Sequence, residues 1–407
     1  MTELYTFSRG AQQMTGSVVR DMLKVTQGSD IISFAGGMPA PECFPTAALN
    51  AASERILRSL PDVALQYGCT EGYGPLRALL TERMQKQHIA ITPEHVLITS
   101  GSQQALDLLG KLFLDPGTLI ALEDPTYLGA LQAWRPYQPR FLTLPTDEAG
   151  LDVSALEDAL QRGIRPAFVY LVSCFQNPTG TTLAPERKRK LLDLAHRYNL
   201  LIIEDDPYSQ LTFNGEQSPL LAAMESQQHG KLQHIIYLST FSKLLAPGMR
   251  VGWIAAPPLL AQKIVQAKQG MDLNTGVFVQ AMITEACQDG LLEEHMPRLR
   301  NAYLIRRNAM LQALQAHMPP GVSWTKPQGG LFLWLTFPPT VATSDLLQAA
   351  LPAGVTFVPG SSFYANGGGN NMARLNFSHA TPQRINEGVC RLAEVLAQTV
   401  AANQGVG

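Results

Sequence analysis

A chain of 407 residues with 45% hydrophobic and 16% charged content can bury a large core and is expected to divide into a large and a small domain. Its formal charge of −2, without any long basic run, leaves no footprint for nucleic acid or for an anionic membrane. The five cysteines, Cys43, Cys69, Cys174, Cys287 and Cys390, are scattered and never form a CxxC pair, so free thiols in a reducing compartment are expected, and neither a cysteine-held zinc nor a disulfide framework is indicated.

Met1-Thr-Glu-Leu-Tyr-Thr-Phe7 has neither a basic start nor an apolar block, and no apolar run is long enough to span a bilayer; the expectation is a cytoplasmic protein. Ser17-Val-Val-Arg-Asp-Met-Leu-Lys-Val-Thr26 reads as a helical segment carrying Arg20. From about residue 95 to 255, short apolar runs read as buried strands: His95–Thr99, Leu119–Glu123, Arg140–Leu144, Ala167–Val172, Leu200–Glu204, His234–Leu238 and Val251–Ala255. Helical patterns such as Gln103–Phe113 and Pro185–Tyr198 lie between several of them, which predicts an α/β layer architecture with a mostly parallel seven-stranded sheet. Past residue 257 the pattern is long and helical to about His317. Gly330–Phe337, Val355–Val358 and Met372–Phe377 then read as strands, and Pro382–Ala401 as a closing amphipathic helix. Asn366-Gly-Gly-Gly-Asn-Asn371 reads as a loose hairpin tip, since no helix follows it. GxGxxG and GxxxxGK motifs are absent, as are internal repeats.

Four segments carry chemistry, and all fall just beyond the carboxyl ends of predicted strands, where open α/β sheets bind ligands. Ser100-Gly-Ser-Gln-Gln104 opens a helix, so its backbone N–H groups and the helix dipole suit a phosphate; Ser102 alone could be an N-cap. Asn177-Pro-Thr-Gly180 is either a turn or a ligand contact placed straight after a strand. Asp205-Asp-Pro-Tyr208 offers two carboxylates, and from the residues alone Asp205 and Asp206 compete. Ser239-Thr-Phe-Ser-Lys-Leu-Leu-Ala-Pro-Gly-Met-Arg250 presents Lys243 among hydroxyl groups with a guanidinium seven positions on; a lysine amine forms Schiff bases with aldehydes, and Arg250, Thr240 and Ser242 could hold a phosphate beside it. Arg374, on the apolar Met372-Ala-Arg-Leu-Asn-Phe377 strand, needs an anion if buried: a ligand carboxylate or an internal salt bridge.

Together these segments resemble the class I/II aminotransferases of the fold-type-I pyridoxal phosphate enzymes, over nearly the whole chain. Phe34-Ala-Gly-Gly-Met-Pro-Ala-Pro-Glu42 and Leu65-Gln-Tyr-Gly-Cys-Thr-Glu-Gly-Tyr-Gly-Pro75 are most similar to the branch with 2-aminoadipate, kynurenine and multi-substrate aromatic or branched-chain aminotransferases. The resemblance implies pyridoxal 5'-phosphate held covalently by Lys243, with Ser100, Gly101, Ser102, Gln103, Thr240, Ser242 and Arg250 about the phosphate. It also implies Tyr127 on the ring face, Asn177 and Tyr208 on the phenolic oxygen, and Asp205, three residues before the tyrosine, at the pyridine nitrogen. Arg374, Asn177, Gly36 and Gly37 would meet the substrate's α-carboxylate, Arg20 a distal one, and Tyr67 the cofactor of a neighbouring subunit in a homodimer. No metal is implied. The implied activity is ping-pong transfer of an amino group from an L-amino acid to a 2-oxo acid such as 2-oxoglutarate, with Lys243, Asp205 and Tyr208 as the catalytic set. The implied layout is a segment 1–45, a large cofactor-binding domain 46–295 and a smaller α+β domain completed by 296–407. A pyridoxal phosphate-dependent β-lyase or decarboxylase is the rival reading, because the fold does not choose which bond breaks. A non-catalytic ligand-sensing domain is a further one.

Overall fold

The computed structural model of the chain describes residues 5–16, 20, 22, 30–215 and 217–404. Most of the helical segment expected over 17–26 therefore lies outside the described residues. The seven runs expected as strands pair into one sheet in the order Val96–Thr99, Gly252–Ala255, Ile235–Thr240, Leu201–Asp206, Phe168–Leu171, Leu119–Asp124, Arg140–Asp147. A two-residue strand, Gly150–Leu151, extends the last edge through a tight antiparallel return and makes eight. Four strands are buried along their whole length, Phe168–Leu171, Ile235–Thr240, Gly252–Ala255 and Val96–Thr99, because helices cover both faces of the sheet.

Among the seven longer strands, one breaks the parallel pattern. Gly252–Ala255 runs antiparallel to both neighbours, pairing Gly252 with Thr99 on one side and Thr240 on the other. It thus begins at the rim where the parallel strands end. Arg250, two residues before it, emerges beside Ser100 and Ser242 although it precedes a strand rather than follows one.

The helical stretch after residue 257 is three helices rather than one: Pro258–Gln269, Val277–Gln288 and Leu291–His317. Gly270 and Gly276 bound the first break, and Gly290 at φ +81° makes the second, a left-handed position that a side chain resists. Apolar spacing carries on through such breaks, so periodicity alone did not show them. Leu291–His317 packs along the closing helix Pro382–Gln404.

The second sheet is antiparallel, in the order Ser323–Trp324, Phe332–Thr336, Met372–Asn376, Val358–Pro359. The single run expected at Val355–Val358 is two short strands, and the first of them, Val355–Thr356, pairs in parallel with Ile32–Ser33. That pairing continues as Phe34 N–H donates to the Thr356 carbonyl and Asn376 N–H to the Phe34 carbonyl. Residues 35–37 are thereby fixed between the second sheet and the rim of the first.

Candidate active site

A cavity of about 550 Å³ opens at that rim, lined by Ser102, Gln103, Tyr127, Asn177, Asp205, Tyr208, Thr240, Ser242, Lys243, Arg250 and Arg20 among others. Eleven of the residues singled out from sequence thus share one wall. Ser100 and Gly101 stand just behind it, where the Ser100 carbonyl accepts from Arg250 Nη2 at 3.0 Å. A larger cavity, about 830 Å³, lies elsewhere, between residues 175–182 and the Ser323–Gln328 segment, and contains none of these groups.

The phosphate-type end is built by one loop and one helix. Ser102–Phe113 begins at Gly101, whose φ of +82° and ψ of 170° suit only glycine; Gly101, not Ser102, is the N-cap. The hydroxyl of Ser102 is buried with no hydrogen-bond partner, an orphan donor that an anion's oxygen would satisfy. A Cβ on Gly101 would lie 2.4 Å from Arg250 Nη2. Gly101→Ala is expected to cost about 1–3 kcal/mol in backbone strain and to push the guanidinium aside, weakening phosphate-ester affinity about tenfold; urea unfolding and a phosphate-ester titration check the two effects. Thr240 donates its hydroxyl to Ser242 Oγ at 2.9 Å, which also receives Arg250 Nη1 at 3.5 Å.

The two adjacent aspartates separate cleanly. Asp206 points away, accepting from Ser209 N–H and hydroxyl at 2.8 and 2.6 Å and from the Tyr237 hydroxyl at 2.8 Å. Asp205 lines the cavity, with Oδ2 accepting from the Tyr170 hydroxyl at 2.9 Å and Oδ1 buried without any partner. Burial raises its pKa to about 7, against the Tyr170 hydrogen bond and with help from the charge of Asp206. A buried carboxylate with one unsatisfied oxygen is the complement of a cationic N–H.

Lys243 lines the same cavity, half-buried, its Nζ donating to the Gly37 carbonyl at 2.6 Å. Burial, followed by the charges of Arg374 and Arg250, lowers its pKa to about 8. At pH 8 about half of such amines are free nucleophiles, against roughly 0.4% at the ordinary value near 10.4. Burial likewise raises the pKa of Tyr208, next to Asn177. Tyr127 is also raised, by burial first and then by Asp205.

Arg374 is 2% exposed and stands behind Asn177 rather than on the cavity wall. Nη1 donates to Asn177 Oδ1 at 2.8 Å, Nη2 to the Ala35 carbonyl, and Nε has no partner. Its guanidinium lies 4.3 and 5.0 Å from the Phe332 and Phe363 ring centres. Among the described residues it joins no salt bridge, and burial lowers its pKa to about 10, so the internal ion pair considered from sequence is absent and the charge is left for a ligand.

Gly36 is buried and Gly37 half-buried in the segment that crosses the site. A Cβ on Gly37 would meet Phe332 at 2.9 Å and Lys243 Nζ at 4.0 Å, so close backbone approach is required there. Tyr67 is not brought into the cavity; its ring is 80% exposed. Two polar contributors were missed from sequence. Gln132 reaches the cavity from Leu128–Trp134, where it is the lone polar side chain among apolar ones, and Tyr170 does so through Asp205. A tyrosine within a fully buried strand implies a polar partner for its hydroxyl, a signal the sequence did contain.

The family model for aminotransferase class I and II matches residues 30–392. The 2-aminoadipate transaminase of Thermus thermophilus is 46% identical over 396 residues, covering 97% of each chain. Aromatic-amino-acid aminotransferase 1 of Thermococcus litoralis is 43% identical over 397 residues, 96% of this chain and 94% of its own. The crystal structure of LysN, an alpha-aminoadipate aminotransferase of Thermus thermophilus, complexed with N-(5'-phosphopyridoxyl)-L-leucine, superposes with a TM-score of 0.91 at 44% identity, over 97% of this chain and 98% of that one. With this likeness running through the strands that carry Lys243, Asp205 and Asn177 as well as through the second sheet, the chain belongs to the class I and II aminotransferases and is an aminotransferase.

Proposed function

We propose that this aminotransferase holds pyridoxal 5'-phosphate in the 550 Å³ cavity and moves an amino group from an L-amino acid to a 2-oxo acid, with 2-oxoglutarate as acceptor, in two ping-pong halves. The observation that carries the reading is that one cavity is lined by both Lys243, a half-buried amine of lowered pKa, and Asp205, a buried carboxylate with one unpartnered oxygen. The orphan hydroxyl of Ser102 beside Arg250 fits the phosphate in the same way.

When bound, the cofactor supplies an electron sink and a carrier for the amino group. The chain's own residues do the rest. Lys243 Nζ would anchor the cofactor and, once released, would take the substrate's Cα proton and later give it up again, as general base and then general acid. Asp205 would keep a proton on the pyridine nitrogen through charge attraction. Tyr208 and Asn177 would hold the phenolic oxygen. Arg374 takes the α-carboxylate on its planar fork, helped by Asn177 and by the close backbone at Gly36 and Gly37. Tyr67, exposed here, would be completed by a second copy of the chain, giving a homodimer with shared sites in the cytoplasm. Residues 46–295 would form the cofactor-binding domain, with 1–45 and 296–407 the smaller one.

Borohydride reduction of the holoprotein followed by peptide mass mapping is expected to find a pyridoxyl group on Lys243; its absence from that peptide overturns the proposal.

For the donor, the proposal is a dicarboxylic amino acid such as 2-aminoadipate, with apolar and aromatic amino acids as further substrates. Its support is Arg20, an exposed cation on the same cavity wall, and relatives named for 2-aminoadipate and for aromatic amino acids. Arg20→Ala is expected to raise KM for 2-aminoadipate and 2-oxoglutarate about 10-fold to 100-fold, as for one charge-assisted pair, while aromatic donors change less than threefold. Equal losses in steady-state assays of both classes would remove Arg20 from specificity.

A further inference from the structure

The opposite rim of the main sheet carries a second cluster that the transamination chemistry does not use. His196 lies in the last turn of helix Pro185–Tyr198, Glu225 in helix Leu221–His229, and His234 immediately before strand Ile235–Thr240. All three belong to connections feeding the amino ends of parallel strands. The active-site residues leave from the carboxyl ends, one six-residue strand or roughly 20 Å away.

The geometry of the cluster is that of a ligand set. Glu225 Oε1 stands 3.1 Å from His234 Nδ1 and 3.7 Å from His196 Nε2, and the three candidate donor atoms lie within 4.8 Å of one another. The tetrahedron around a zinc ion with bonds of about 2.0–2.1 Å has edges of about 3.4 Å, between the two measured separations. Glu225 is fully buried, and among the described residues its ion-pair partners are these two histidines alone, with no lysine or arginine. Its carboxylate is oriented from behind by the backbone N–H groups of Gln233 and His234 at 3.0 and 2.9 Å, as the carboxylate of a metal site is held by outer hydrogen bonds.

A second observation points to a missing partner. His196 Nε2 is buried and has no hydrogen-bond partner, although it faces Glu225. The exposed His229 ring lies 4.0 Å from the His196 ring, tilted by 45°.

We propose that His196, Glu225 and His234 bind one divalent transition ion, zinc by preference, tying together two helix-to-strand connections at the end of the sheet remote from catalysis. Two nitrogens and a carboxylate oxygen suit zinc, and water or His229 would complete four-coordination. The expectation that no metal is implied drew its residue-level support from cysteine spacing, which says nothing about histidines brought together over thirty-eight positions of sequence.

The test uses tag-free holoprotein, stripped with chelator and titrated with zinc chloride at pH 7.5. Wild type is expected to retain one zinc per chain after desalting and to gain about 3 °C in Tm at a hundredfold excess over Kd. His196→Ala and His234→Ala should each weaken binding by about 100-fold or more, while the half-reaction with an amino acid stays unchanged. If an alanine variant fails to fold, His196→Gln, which keeps a polar side chain of similar reach, takes its place. The proposal is overturned by wild type that takes up no stoichiometric zinc, or by uptake that persists undiminished in the folded variants.

Discussion

Replacing Lys243 by alanine is expected to lower turnover by roughly 10⁴-fold or more, since the same amine serves as anchor and as proton carrier. The variant should still take up cofactor, because Ser102, Thr240, Ser242, Arg250 and Asp205 do not depend on the lysine for their positions. Absorbance titration with pyridoxal phosphate, with single-turnover kinetics on each amino acid, separates the two effects. Turnover within tenfold of wild type would assign the proton transfer to another group. The pH dependence follows from the site. With the amine's pKa lowered to about 8, the rate at which added pyridoxal phosphate becomes covalently attached to the apo-protein should rise between about pH 7 and 9 and then level off. An unperturbed lysine would keep rising to beyond pH 10.

Asp205→Asn is expected to move activity and stability in opposite directions. In the folded apo-protein the carboxyl group keeps its proton up to about pH 7, whereas in the unfolded chain it releases it near its ordinary value of about 4. Between those pH values the folded state holds the extra proton, so stability falls as pH rises through the window and stays lower above it. Above pH 7 the buried charge costs on the order of 4 kcal/mol. The neutral asparagine removes that cost, so the apo-variant should unfold at higher urea than apo wild type at pH 8 and at a similar concentration near pH 4. The holoenzyme behaves oppositely: without the carboxylate the pyridine nitrogen loses its counter-charge, and turnover should drop by about 10²–10³-fold. A variant with unchanged apo stability at pH 8 would mean that Asp205 is solvated and that its unpartnered oxygen has no bearing on the cofactor.

The strands of the main sheet were legible because four of them are buried on both faces and read as uninterrupted apolar runs, a signal independent of distant contacts. The rim residues were legible for the same reason, since each motif directly follows or precedes such a run. What sequence left open was which way neighbouring side chains point. Asp205 and Asp206 differ only in the face of one strand, and it took Tyr237 and Ser209 on one side and Tyr170 on the other to separate them. The breaks at Gly270 and Gly290 sit at single glycines through which the apolar spacing carries on, whereas the split of Val355–Val358 depends on pairing with Ile32–Ser33, far away in the chain, and the meeting of His196 with His234 likewise depends on distant elements. Arg374 was found as a buried cation, but its position behind Asn177, between two phenylalanine rings, was not.

The reversed strand at Gly252–Ala255 has a consequence for how this chain tolerates change in length. Lys243 leaves the rim and Arg250 returns to it within a single seven-position excursion, both ends clamped by the pairing of Thr240 with Gly252. Surface connections usually accept an added residue at little entropic cost. Here the excursion works as a ruler between the covalent anchor and the phosphate cation, so a one-residue insertion has nowhere to be absorbed and would separate two charges that a small molecule must touch at once.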